Sequence, residues 1–187
     1  MANCTQTFAG IQTDCNSNIG GVRSVYICPY LDVSLTLNEQ KEVTDISSTS
    51  IPQFFLFRFR KGNASMTSNL TADATTGVSY VTTELTMTFS RMTTERKIEI
   101  NNLCKGKVQC IVEDENGKFY FLGADSYVSA SAGSAQTGAQ RGDNNSLSIT
   151  LKDESNEFPY LMTKRAVMSV MGVVDFYYHN LAEKGKE

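Results

Sequence analysis

The chain has one histidine, His179, no tryptophan and three prolines. A single imidazole leaves acid–base chemistry to carboxylates, tyrosines or lysines. The five cysteines, Cys4, Cys15, Cys28, Cys104 and Cys110, are widely spaced and form no C-x-x-C pair. With one histidine to help them, they make no tetrahedral metal set, and they read as reduced thiols that are mostly core or half-buried. Basic charge is also short. Seventeen Lys and Arg stand against twenty Asp and Glu, a formal charge of −3, which gives no footprint for gripping a phosphate backbone. No run approaches the roughly 18 apolar residues of a membrane span, so no membrane insertion is expected. The first residues, Met1-Ala2-Asn3-Cys4-Thr5-Gln6-Thr7, carry neither a basic cluster nor an apolar stretch. No secretory leader is expected there, and synthesis and folding are expected in a cytoplasm.

What is present is alternation. Val81, Leu85, Met87 and Phe89 fall on odd positions, while Thr82, Glu84, Thr86, Thr88 and Ser90 fall on even ones. A period of two places the sets on opposite faces of a β-strand. One face is expected in a core, and the hydroxyl-rich face toward water. Val22 to Pro29 and Asp32 to Asn38 also read as strands, as does Phe54 to Arg60, where Phe55, Phe57 and Phe59 share one side. Val108 to Val112 and Phe119 to Gly123 flank an Asn116-Gly117 pair, a strong hairpin signal. Leu147 to Leu151 alternates again.

The period changes at Arg91 to Lys105. Thr93 or Thr94 is placed to cap a three-turn helix that Gly106 ends. Residues 1–21 read as an arm, Lys41 to Ile51 as irregular, and Ser129 to Asn145 as a flexible Gly/Ser/Ala-rich loop. Lys61 to Gly77 reads as the extended polar tip of a hairpin joining the strands at 54–60 and 78–90. Lys164 to Lys184 fits either a strand pair or a short buried helix. These expectations give a mainly β fold, a β-sandwich or partial barrel with one packing helix at about 93–105. A single domain is expected over 22–187, behind the 1–21 arm.

Chemistry finds little purchase. Glu113-Asp114-Glu115 sits in the hairpin turn and Asp153-Glu154 ends a strand, so both are expected to face solvent. The glycines at 133, 138 and 142 lack the spacing of a phosphate loop. The phenylalanines at 54–59 beside Arg58 and Arg60 are placed to stack bases, but a sandwich core face with two edge arginines fits the acidic chain better. No nucleophile, metal set or cofactor fingerprint is visible, so the expectation is a non-enzymatic protein without cofactors.

The order of these segments carries a resemblance. Cys15 and Gly20-Gly21 precede Val22-Arg23-Ser24-Val25-Tyr26-Ile27. The long strand from Val78 to Phe89 is followed by Thr94-Glu95-Arg96-Lys97-Ile98-Glu99-Ile100. Then come Val112 to Gly123, Gly142-Asp143, and Ser146 to Lys152, ending near Phe158-Pro159-Tyr160. Over residues 12–160 this resembles tail tube and related tail structural proteins of bacteriophages. The resemblance implies a virion protein, assembled in the host cytoplasm, that forms rings, usually hexameric. Inner sheets would join into a barrel around a channel through which DNA passes without specific binding, and rings would stack head to tail. Its partners would be copies of itself and other tail proteins. Thr82, Glu84, Thr86 and Thr88 would face the lumen, and the 61–77 segment, with Asn63, Met66, Asn69, Leu70 and Asp73, would touch the next ring. The helix would pack outside the sheet. A tail hub, completion or connector ring protein of the same fold remains open, as does a β-sandwich module binding carbohydrate or another ligand.

Overall fold

The computed structural model describes residues 19–48, 52–73, 75, 77–140 and 144–169. The strands are β1 (Val22–Pro29), β2 (Val33–Leu37), β3 (Val43–Ser48), β4 (Phe55–Arg58), β5 (Ala64–Asp73) and β6 (Val78–Ser90). After helix α1 (Thr94–Lys105) come β7 (Val108–Asp114), β8 (Phe119–Leu122), β9 (Ser129–Gln136), β10 (Ser146–Ser155) and β11 (Tyr160–Met162). Among the described residues they form two sheets, ordered β2-β3-β11-β8-β7-β1-β4 and β5-β6-β10-β9. The fold is mainly β, a sandwich with one packing helix, as the alternation indicates.

The two sheets cross steeply. Leu70 and Val81, near one end of the smaller sheet, lie against Pro159, Tyr160 and Leu161. Ser65 and Met66, farther along, lie by Val112 and Tyr120. Asn63 and Thr88, at the other end, lie by Phe57 and Arg60 of the β4 region. Travel along β5 and β6 thus meets β11, then β8 and β7, then β4, which is an orthogonal stacking.

Between the sheets Val25, Ile27, Cys110 and Val112 meet Leu85, Met87, Ile149 and Leu151. The larger sheet is apolar on its far side too, where Tyr26, Cys28, Ile111 and Phe121 pack with Val43, Met162, Ala166 and Val167. Burial on both faces explains the unbroken apolar runs Val25 to Cys28 in β1 and Cys110 to Val112 in β7. A helical segment over 164–169 covers that far side. Thr163 starts it by accepting a hydrogen bond from the Ala166 N–H at 3.3 Å, while its hydroxyl donates to the Val43 carbonyl. The short-helix alternative therefore holds for 164–169; the rest of the C-terminal stretch, and all of the arm before residue 19, lie outside the described residues.

Helix α1 begins as its sequence indicates. The Thr93 hydroxyl accepts from the Arg96 N–H at 3.4 Å, and the Gly106 N–H donates to the Asn102 carbonyl. It does not lie on the outside of a sheet. Ile100 and Leu103 enter the inter-sheet core, so the helix plugs the open flank beside β9, and its remaining residues are exposed. A helix with two anchoring side chains needs no broad apolar stripe, which is why its periodicity is faint.

Three expected loops are strands. Residues 61–77 hold β5, a ten-residue strand laddered along β6 from Ala64↔Met87 to Asp73↔Val78. The strands at 54–60 and 78–90 are not hairpin partners, since β4 pairs with β1 in the other sheet. Val43–Ser48 pairs with β2, and Ser129–Gln136 pairs with β10. In each case a low local preference yields to a ladder supplied by a neighbour.

Candidate assembly surface

The smaller sheet has one greasy face and one hydroxyl face. On β6, Val81, Thr83, Leu85 and Met87 are buried, while Thr82, Glu84, Thr86 and Thr88 point away from the core. The ladder extends this polarity sideways. Thr86 lies between Ser65 of β5 and Thr150 of β10, Glu84 between Thr67 and Lys152, and Thr82 between Asn69 and Glu154. Ser134 and Ala132 of β9 continue the rows beyond Ser148 and Thr150. Cross-strand hydroxyl pairs stitch the face: Thr86 Oγ1 to Thr150 Oγ1 at 3.2 Å, and Thr88 Oγ1 to Ser148 Oγ at 3.3 Å. Lys152 Nζ reaches Glu154 at 2.7 Å, and this hydrogen bond raises the lysine pKa. With Glu84 and Asp73 the face holds three carboxylates and one ammonium, so it is acidic.

Neither terminal strand of this sheet has a strand partner on its outer side among the described residues, although α1 lies beside β9. β5 and β9 are its terminal strands, and residues 131–136 are all exposed. The β9 sequence, Ser-Ala-Ser-Ala-Gly-Ser-Ala-Gln, has no charge, proline or bulky side chain to repel a visiting strand. Successive neighbours are antiparallel throughout, so β5 and β9 run in opposite directions. Copies set side by side in one orientation would therefore bring β9 of one against β5 of the next as an antiparallel pair.

The five residues expected to touch an adjacent ring are not on one loop. Asn63 lies at one end of β5 and Asp73 at the other, Met66 packs against the core, Asn69 is on the hydroxyl face, and Leu70 is exposed near β11. The structure keeps Thr82, Glu84, Thr86 and Thr88 on one face, and it spreads the other five along β5 because that segment is a strand and not a loop.

Of the acidic groups, Asp114 organises its turn, accepting from the N–H groups of Asn116 and Lys118 at 2.9 and 2.8 Å, with Gly117 at φ 74°. Glu113 is less solvated than its position suggested, since it accepts from Ser24 and pairs with Arg23. Asp153 departs outright from its expected place in solvent. It continues the inward series Leu147, Ile149, Leu151 and is 3% exposed. The Gly123 N–H donates to Oδ2 at 3.3 Å, while Oδ1 has no hydrogen-bond partner among the described residues. Burial pushes its pKa up to about 6. Burial also drives the Cys28 thiol up to about 12 and the Cys110 thiol well above its usual range, which makes both inert.

Gly133 lies within β9, not in a phosphate loop. Phe57 and Phe59 pack on the core with Phe89, whereas Phe55 is 53% exposed at the sheet margin. Among the described residues no group of three metal-ligating side chains converges, and no helix is long and apolar enough to cross a membrane. No protein-family model, no curated protein and no solved structure matches the chain.

Proposed function

We propose that this chain is a self-assembling structural subunit, a bacteriophage tail tube protein whose rings stack into a DNA-delivery channel. The single observation that carries the reading is the four-stranded sheet with a hydroxyl-lined outer face and two terminal strands of opposite direction. Pairing β9 with a neighbour's β5 removes both edges at once, and repeating the step closes a barrel. Six copies would contribute roughly 24 strands, beyond the roughly 16–18 at which a barrel already leaves an aqueous channel. Thr82, Glu84, Thr86 and Thr88 would then line the lumen. Short hydroxyl side chains and a small acidic excess keep such a wall wetted without holding a passing phosphate backbone. Its partners are copies of itself and further tail proteins, and its place is the virion tail.

Negative-stain imaging of the concentrated, purified protein tests this. Rings and stacked tubes are expected. A single ring that never polymerises would place the chain in a hub or connector role, and a persistent monomer would remove the assembly reading.

A further inference from the structure

The two ends of the smaller sheet differ in charge and shape. β6 has thirteen residues, so its ends lie about 40 Å apart. At the Ser90 end a cavity of about 880 Å³ opens between β4, the end of β6 and the start of α1. Its floor is aromatic: the Phe89 ring lies 5.3 Å from Phe59 and 6.0 Å from Phe57, centroid to centroid. Its rim is basic. Arg58, Arg60 and Arg91 line it, and Lys61 adjoins it. Among the described residues none of these four has a carboxylate partner. Glu95 and Glu99 on the α1 side are the acids that line the same cavity. Unpaired guanidinium groups above an apolar aromatic floor suit an acidic segment that carries an aromatic ring.

Such a segment exists on the same chain at the opposite end. The loop 156–159, Asn-Glu-Phe-Pro, leaves β10 where Ser155 pairs with Val81. Phe158 projects from it 54% exposed. Around it stand Glu157, Glu42, Glu154 and Asp125, with Lys41 and Lys152 as the cations that pair there. The Asp125 carboxylate fixes the loop by accepting from the Asn156 N–H at 2.9 Å, so the ring is presented on an ordered turn.

We propose that the Phe158 loop of one copy seats in the arginine-rimmed aromatic cavity of a second copy, joining them end to end; this rests on the tube reading above. Knob and hole lie on opposite ends of one molecule, so the contact is heterologous and propagates along the sheet axis instead of closing. The basic rim meets the acidic surround of the knob, and Phe158 covers the rings of Phe57, Phe59 and Phe89. The stacking contact therefore belongs to the 156–159 loop and the cavity, not to residues 61–77 as a unit.

The test uses the full chain and two readouts. Phe158→Ala, and separately Arg58→Glu with Arg60→Glu, should leave rings but abolish stacked tubes in electron micrographs. Raising salt from 0.1 to 1 M shortens the Debye length from about 10 to 3 Å and should shorten wild-type tubes. A benzophenone amino acid placed at 158 should, on irradiation, cross-link to residues 56–63 or 88–91 of another copy. Cross-links that land elsewhere, or Phe158→Ala tubes of normal length, overturn the proposal while the ring reading stands. A wild-type chain that forms no rings at all overturns both.

Discussion

Asp153 lies directly across the β10–β6 ladder from Thr83, and both side chains are buried, at 3% and 0% exposure. Thr83 is satisfied by the Ser68 hydroxyl at 2.8 Å, but Asp153 has one carboxylate oxygen without a hydrogen-bond partner among the described residues. Burial raises its pKa from 3.8 to about 6, with the Asp125 and Glu154 charges adding to the rise and the Gly123 N–H opposing it. A carboxyl group whose pKa is raised by folding is fully accommodated below pH 3.8, and stability is lost as pH climbs through about 6. The cost at neutral pH is about 2–3 kcal/mol. Urea unfolding of wild type and Asp153→Asn should give curves that diverge by that amount between pH 4 and 7, with the variant gaining relative stability as pH rises. Parallel curves would show that the carboxylate is solvated.

Helix α1 rests on two side chains and a cap. Leu103→Ala should cost about 2–3 kcal/mol, because it opens a cavity in the inter-sheet core. Thr93→Ala should cost about 1 kcal/mol through the lost cap. Ile98, on the same helix and 53% exposed, should tolerate alanine within about 0.5 kcal/mol. Chemical denaturation of the three variants checks the order, and an equal loss at Ile98 would mean that the exposed face of α1 is covered.

Strand β9 carries no charge or proline to repel a visiting strand. Ala132→Lys with Ser134→Lys places two ammonium groups on an exposed edge strand and should leave the fold intact while blocking lateral association. Circular dichroism would be unchanged, and light scattering would report a monomer where the wild type forms rings. Rings that persist with both lysines would move the lateral contact away from this edge.

Thiol chemistry follows burial. In a Cys4→Ser, Cys15→Ser background, one thiol, Cys104, should react promptly with a maleimide. Cys28 and Cys110 should react only after unfolding, since burial holds both in the neutral form. Mass spectrometry of the labelled peptides reads this directly, and early labelling of Cys110 would mean that the inter-sheet core opens.

Much of this architecture is legible in the residues. The strands β1, β6 and β10, the Asn116-Gly117 turn and the α1 cap all follow from alternation, turn chemistry and capping. Strands β5 and β9 do not, because runs such as Ser129-Ala130-Ser131-Ala132 contain no branched or aromatic side chain, and only the ladder offered by β6 and β10 holds them extended. Pairing is also hidden: nothing local tells Phe55–Arg58 to join β1 instead of β6. Asp153 was concealed by its chemistry. Its position continues the inward series of β10, but a carboxylate next to Glu154 reads as solvent-facing until the burial around it is seen.

Joining copy to copy through one sheet is the claim on which the functional account stands. A cryo-electron microscopy map of the assembled protein tests it most directly. The account predicts β9 of each subunit lying antiparallel beside β5 of its neighbour, with Thr82, Glu84, Thr86 and Thr88 turned toward a central hole. A map in which those four side chains face outward, or in which β5 and β9 remain unpaired, would contradict it.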